Sequence, residues 1–162
     1  MLTIEKKSLR VGKYVDTKYV DTVIRNYKQE RWVQNSERIG KEDSLSGWYS
    51  IGELEEFIAK IKELGADGIR YYYGVYSSDF ADRPEYADRQ TIVLVATKRK
   101  ETAMGTADKD IYISTEKGTE ILAYNFSSQC PPTCGKTTGD GDDWGGIGVT
   151  IVDRGEKGLT VI

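Results

Sequence analysis

Cys130 and Cys134 are the most reactive side chains in this 162-residue sequence, and Pro131-Pro132-Thr133 separates them. A thioredoxin-like redox pair has two intervening residues, not three. A tetrahedral zinc site would need two more ligands. The chain has no further cysteine and no histidine, so only carboxylates could supply them. Two free thiols bracketing a Pro-Pro turn are the expected state, with a reversible local disulfide as the alternative. The lack of histidine also removes the usual general base and the commonest transition-metal ligand. Neither a Ser-His-Asp nor a Cys-His nucleophile can be assembled within the chain.

Gly135-Lys136-Thr137 resembles the end of a phosphate-binding P-loop, but GxxxxGK[ST] requires glycine where Cys130 stands. Pro131 and Pro132 remove backbone donors from the would-be cradle. A coincidental turn is expected. Asp140, Asp142 and Asp143 open like an EF-hand, but the fifth position would be Trp144 and the twelfth Ile151. They are read as a solvated turn. Asp79, Asp82, Arg83, Glu85, Asp88 and Arg89 crowd one loop. Paired carboxylates there could do acid–base work of the glycosidase kind. In a chain with 30% charged residues, local ion pairs are the plainer reading. No catalytic residue, metal ligand or cofactor is assigned.

The remaining candidates are recognition residues. Arg70, Tyr72 and Tyr76 alternate along one tyrosine-rich stretch, so a strand would carry them on one face. Arginine and tyrosine are enriched where proteins recognise partners. Gly74 leaves a gap between the two tyrosines. The charged loop that follows adds Arg83 and Arg89 to the candidate site. The plainer reading is an arginine snorkelling from a sheet edge beside tyrosines packed under a loop.

Several elements must position these side chains. No proline or glycine falls between Lys13 and Arg38, and Val15, Tyr19, Val23 and Tyr27 recur at every fourth residue beside Val20 and Ile24. This is the stripe of an amphipathic helix. Residues 40–47 read as a connector. Ser50 and Glu53 then form a capping box, with Tyr49 and Leu54 as a staple. Leu54, Phe57, Ile58, Ile61 and Leu64 give the expected buried face of a helix over 51–64, and Gly65 ends it. Strands are expected at Ile69–Tyr76 and Thr91–Thr97. The second is apolar on both faces, as a covered central strand is. Further strands are expected at 110–114, 120–126, 147–153 and 159–162. Residues 127–146 read as one irregular loop, longer than compact domains usually tolerate without a function.

The length suits one domain over 1–162. Helices first and strands afterwards suit an α+β class: two helices packed on a mainly antiparallel sheet of four to six strands. Residues 1–10 lack the apolar stretch of a signal peptide, and the longest apolar run, Ile92–Ala96, falls far short of a membrane span. A cytoplasmic location with no membrane partner is expected. Residues 1–41 hold ten Lys/Arg against five Asp/Glu, while the chain as a whole carries −3. That basic portion is too mixed for the dense stripe of a nucleic-acid footprint.

Gly65-Ala66-Asp67-Gly68-Ile69-Arg70, Arg89-Gln90-Thr91-Ile92-Val93-Leu94-Val95 and Cys130-Pro131-Pro132-Thr133-Cys134 resemble segments of a family of small uncharacterised bacterial α+β proteins. The resemblance covers about half of the chain. It implies a bacterial origin and supplies no catalytic residue or substrate. The function expected from the sequence is a non-enzymatic binding or interaction module with a protein partner. The alternative is a His-independent, hydrolase-like enzyme using loop carboxylates or a cysteine.

Overall fold

The computed structural model describes residues 9–134 and two short strands beyond them, 151–153 and 159–161. Gly135-Lys136-Thr137, the acidic residues Asp140, Asp142 and Asp143, and most of the expected 127–146 loop lie outside the described residues. Helices and mostly antiparallel strands make this an α+β protein.

The first helical stretch runs as α1 (Thr17–Tyr27), a π-helical turn (Lys28–Trp32) and α2 (Val33–Ile39). Asp16 caps it by accepting from the Tyr19 N–H at 2.8 Å, and Gly40 closes it in the left-handed conformation at φ 71°. The stripe therefore forms the helix it predicts. It buries that face only in part: Val20, Ile24 and Tyr27 are half-buried, while Tyr19 and Val23 are exposed. The expectation of two helices packed on the sheet is corrected here. No residue of the stretch belongs to the core under α3; α1 lies beside residues 159–161, and polar tips tie the stretch down as well. The Tyr27 hydroxyl donates to the Gln90 side chain, and Trp32 Nε1 donates to the Asp43 carbonyl at 2.8 Å. An i→i+5 turn brings residues five apart toward the same side, which lets Tyr27 and Trp32 both make their contacts.

The second helix, α3 (Ile51–Glu63), follows its local signals closely. Ser50 Oγ accepts from the Glu53 N–H at 3.1 Å. Gly65 at φ 92° completes a Schellman ending, with Ala66 N–H bonded to Ile61 O and Gly65 N–H to Lys62 O. Phe57 and Ile61 are buried and Leu54 half-buried, but Ile58 and Leu64 are exposed.

That sheet is built on β2 (Gly68–Val75) and β3 (Gln90–Thr102), paired antiparallel with Ile69 opposite Ala96 and Tyr71 opposite Leu94. The two strands, expected as an antiparallel pair in the middle of the sheet because of their short connection, do pair antiparallel, but only β3 is central and β2 is at the edge. The other edge of β3 takes β4 (Gly105–Asp110) along residues 97–102 and β7 (Ala123–Tyr124) at Leu94 and Val95. Between them the hairpin of β5 (Tyr112–Thr115) and β6 (Gly118–Ile121) leaves the sheet. The departure is closed by a ring of three backbone bonds of 2.9 Å: Ile111 N–H to Ala96 O, Ala96 N–H to Leu122 O, and Leu122 N–H to Ile111 O. No main-chain group at this junction goes unpaired by the exit. Phe57, Ile61, Leu94, Ala96 and Leu122 form the core at this point.

A ribbon of β1 (Ser46–Trp48) and β8 (Ser128–Cys130) stands apart from that sheet, as does the pair β9 (Ile151–Asp153) and β10 (Leu159–Val161). The single sheet of four to six strands is therefore corrected to several split sheets. Gly47 lets the ribbon close up, because a Cβ there would meet Ser127 Oγ at 2.5 Å.

The Glu53 carboxylate, which a capping box would turn back on the helix start, accepts from the Tyr124 hydroxyl. That bond, helped by partial burial, holds the phenol up to about 12 from an ordinary 10.0. The folded chain therefore keeps this proton where the unfolded chain has released it. The contribution to stability is intact below pH 10 and falls as pH climbs toward 12. Tyrosinate absorbance should show the last phenol to ionise disappearing in Tyr124→Phe and moving down in Glu53→Gln. An unchanged titration in both variants would refute the assignment.

Candidate interaction surface

The five residues singled out in the sequence fall into two separate places. Arg70 and Tyr72 lie on the sheet face away from α3. Arg70 Nη1 donates to Asp110 Oδ1 at 2.5 Å, Nη2 donates to Asp108 O at 2.6 Å, and the Tyr72 hydroxyl donates to Asp110 Oδ2 at 2.6 Å. One carboxylate from the end of β4 thus binds both side chains across β3. The bond to Tyr72, with Asp110 and Asp108 nearby, raises the Arg70 pKa further. Asp110 was not singled out in the sequence. It lies 40 residues from Arg70, and no local spacing connects them.

Tyr76 does not share that surface. It is buried at the far end of β2, and its hydroxyl donates to Asn125 Oδ1 at 3.0 Å. A β-bulge turns the chain there: Asp88, at φ 63°, and Arg89 both oppose Tyr76, through Asp88 N–H to Tyr76 O and Tyr76 N–H to Arg89 O. The Tyr76 ring stacks on Phe80 at 4.5 Å and contacts Tyr86 and Phe126. Arg83 lies over the Tyr86 ring at 4.5 Å, and its Nε is 3.0 Å from Glu85. Arg89 is buried. Its Nε donates to Glu85 O at 2.9 Å, and its Nη1 has no hydrogen-bond partner. Burial pushes its pKa down, and Asp43 and Glu42 act in the opposite direction. Arg89 therefore belongs to the interior of the loop and is not available at the surface. Phe126, exposed and held at φ 75°, is the outer member of this aromatic group and carried no sequence signal.

The middle of β2 is itself open. Tyr71, Tyr73 and Val75 are 60, 81 and 63% exposed, and Tyr72 on the opposite face is 42% exposed. The bond from Tyr76 N–H to Arg89 O sets the phase of the ladder, so even-numbered residues of β2 bond to β3. The N–H and C=O groups of Ile69, Tyr71, Tyr73 and Val75 then point to the outer edge. Among the described residues no strand pairs with that edge. The sequence marks these positions as one face of a strand. It does not mark them as uncovered, because alternating tyrosine and isoleucine also suits a buried face.

Asp43 Oδ1 accepts from the Ser44 and Gln90 N–H groups at 2.8 and 2.7 Å. A cleft lined by Ser44, Gln90, Thr91 and Gln129 has a volume of about 30 Å³, room for about one water molecule. Cys130 and Cys134 are joined in a disulfide, so the expected free thiols are replaced by the bonded alternative. The bonded loop is hooked to the connector through Leu45 N–H to Cys130 O and Ser44 Oγ to Pro131 O. Among the described residues no group of three acidic or cysteine side chains could hold a metal ion, and no helix is long and apolar enough to cross a membrane. No protein-family model, curated protein or solved structure matches the chain.

Proposed function

We propose that the protein is a non-enzymatic binding module that takes an extended polypeptide segment along the outer edge of β2. The observation that carries this reading is the coincidence of outward main-chain groups with exposed tyrosines on both faces of one eight-residue strand. Main-chain bonds along a free edge supply affinity, and side chains on alternating sides supply selectivity. Tyrosine adds contact area at low cost in side-chain order. The hydrolase-like alternative has less support. Its cysteines are bonded to each other. Glu85 is held below the usual carboxylate range by a backbone bond and by Arg83, which does not suit a general acid at neutral pH. Disulfides persist mainly in oxidising compartments, so the Cys130–Cys134 bond weighs against the cytoplasmic location expected from composition.

A photo-crosslinking amino acid at Tyr73 in living cells tests this reading. The turn residue Met104, fully exposed in the β3–β4 hairpin, is the control position. A discrete product from Tyr73 and none from Met104 is expected. No product from Tyr73, or the same products from both positions, would refute the reading.

A further inference from the structure

We infer that the strand received by this edge is the β2 of a second copy, paired antiparallel about a two-fold axis at Tyr72. The inference rests on the edge-binding reading above and adds the identity of the occupant. Three observations carry it.

The first is charge. Sheet edges are normally protected by charged side chains, prolines or bulges. The β2 stretch contains no proline, and its register with β3 runs unbroken from Gly68 to Val75. Its one charge, Arg70, is neutralised within its own sheet by Asp110. Nothing on the strand repels an identical strand.

The second is register. Only Ile69, Tyr71, Tyr73 and Val75 offer outward main-chain groups, so an antiparallel copy must place odd-numbered residues opposite odd-numbered residues. A two-fold at Tyr72 alone uses all of them, pairing Ile69 with Val75 and Tyr71 with Tyr73. A two-fold at Tyr71 or Tyr73 leaves Val75 or Ile69 unpaired.

The third is side-chain fit in that same register. Arg70 faces Gly74 of the other copy, which has no side chain to oppose it, and no two arginines meet. Tyr71 and Tyr73 form cross-strand aromatic pairs, a favourable combination in sheets. The register chosen by main-chain bonding is thus the one the side chains accept.

A cysteine at the axis gives a direct test. At a non-hydrogen-bonded pair the Cα atoms are about 4.5 Å apart, within reach of a disulfide. Oxidised Tyr72→Cys should form a covalent dimer beyond the wild-type background, and Arg70→Cys should not. Sedimentation equilibrium of the wild-type chain should show a monomer–dimer equilibrium. Tyr71→Lys/Tyr73→Lys, at two exposed positions, should weaken it by about tenfold or more by setting lysine against lysine. A wild-type chain that stays monomeric at about 500 μM, far above the micromolar range of specific complexes, would overturn the inference. So would a Tyr72→Cys chain that does not link to itself, or a lysine variant that dimerises as well as wild type. The crosslink at Tyr73 separates the two levels. A product of twice the chain mass supports self-pairing. A product with a different protein overturns self-pairing and leaves the edge-binding reading standing. No product overturns both.

Discussion

Leu94→Ala is expected to lower the free energy of unfolding by about 2–5 kcal/mol. Leu94 is 1% exposed and sits among Phe57, Ile61, Ala96 and Leu122. The size of the loss depends on whether neighbours can move into the space. They have little freedom here, because Leu94 is paired on both sides, with Tyr71 in β2 and Tyr124 in β7. Across the gap, α3 is fixed at its start by Ser50 and at its end by the Gly65 turn. A cavity therefore persists, and its cost adds to the lost transfer energy of the removed methyl groups. Urea unfolding with an unchanged slope should show the loss as a lower midpoint. A change below about 0.5 kcal/mol, typical of uncritical surface positions, would mean that Leu94 is not at the core.

The second large effect should appear at Tyr86, which has no exposed surface. Its ring contacts Tyr76 and lies under Arg83. Its hydroxyl accepts from the Gln129 N–H at 3.1 Å and lies 3.1 Å from Thr133 Oγ1. One residue of the charged loop thus anchors both the aromatic group and the disulfide-bonded hairpin. Tyr86→Ala should cost about 3–5 kcal/mol, as removal of a buried aromatic ring does. Tyr86→Phe keeps the ring and strands the buried Gln129 N–H, at about 1–3 kcal/mol. The two variants measured together separate packing from bonding. If Tyr86→Phe matched wild type, the hydroxyl would not be what holds the 128–130 strand in place.

The sequence by itself determined the elements whose signals are local. Ser50 and Glu53 place the start of α3, and Gly65 places its end, because capping involves groups within a few residues of one another. The run from Lys13 to Arg38 marks a helix, and the tyrosine-rich and β-branched runs mark β2 and β3 as strands. Tertiary structure alone decided what those elements cover. The α1 stripe is only half covered and joins no part of the core under α3, although its periodicity is that of a packed helix, since periodicity identifies a face and not its neighbour. The sheets split at Ile111 and Leu122 through main-chain bonds that any residue type can make, so no side chain announces the split. Arg70 and Tyr72 find Asp110 across an intervening strand, at a separation where spacing along the chain carries no information. Tyr76 and Arg89 are buried, while Tyr71 and Tyr73 in the same run are open. Tyrosine suits either setting, with an apolar ring and a polar tip, and only the position of β2 at the edge of its sheet makes those two rings a surface.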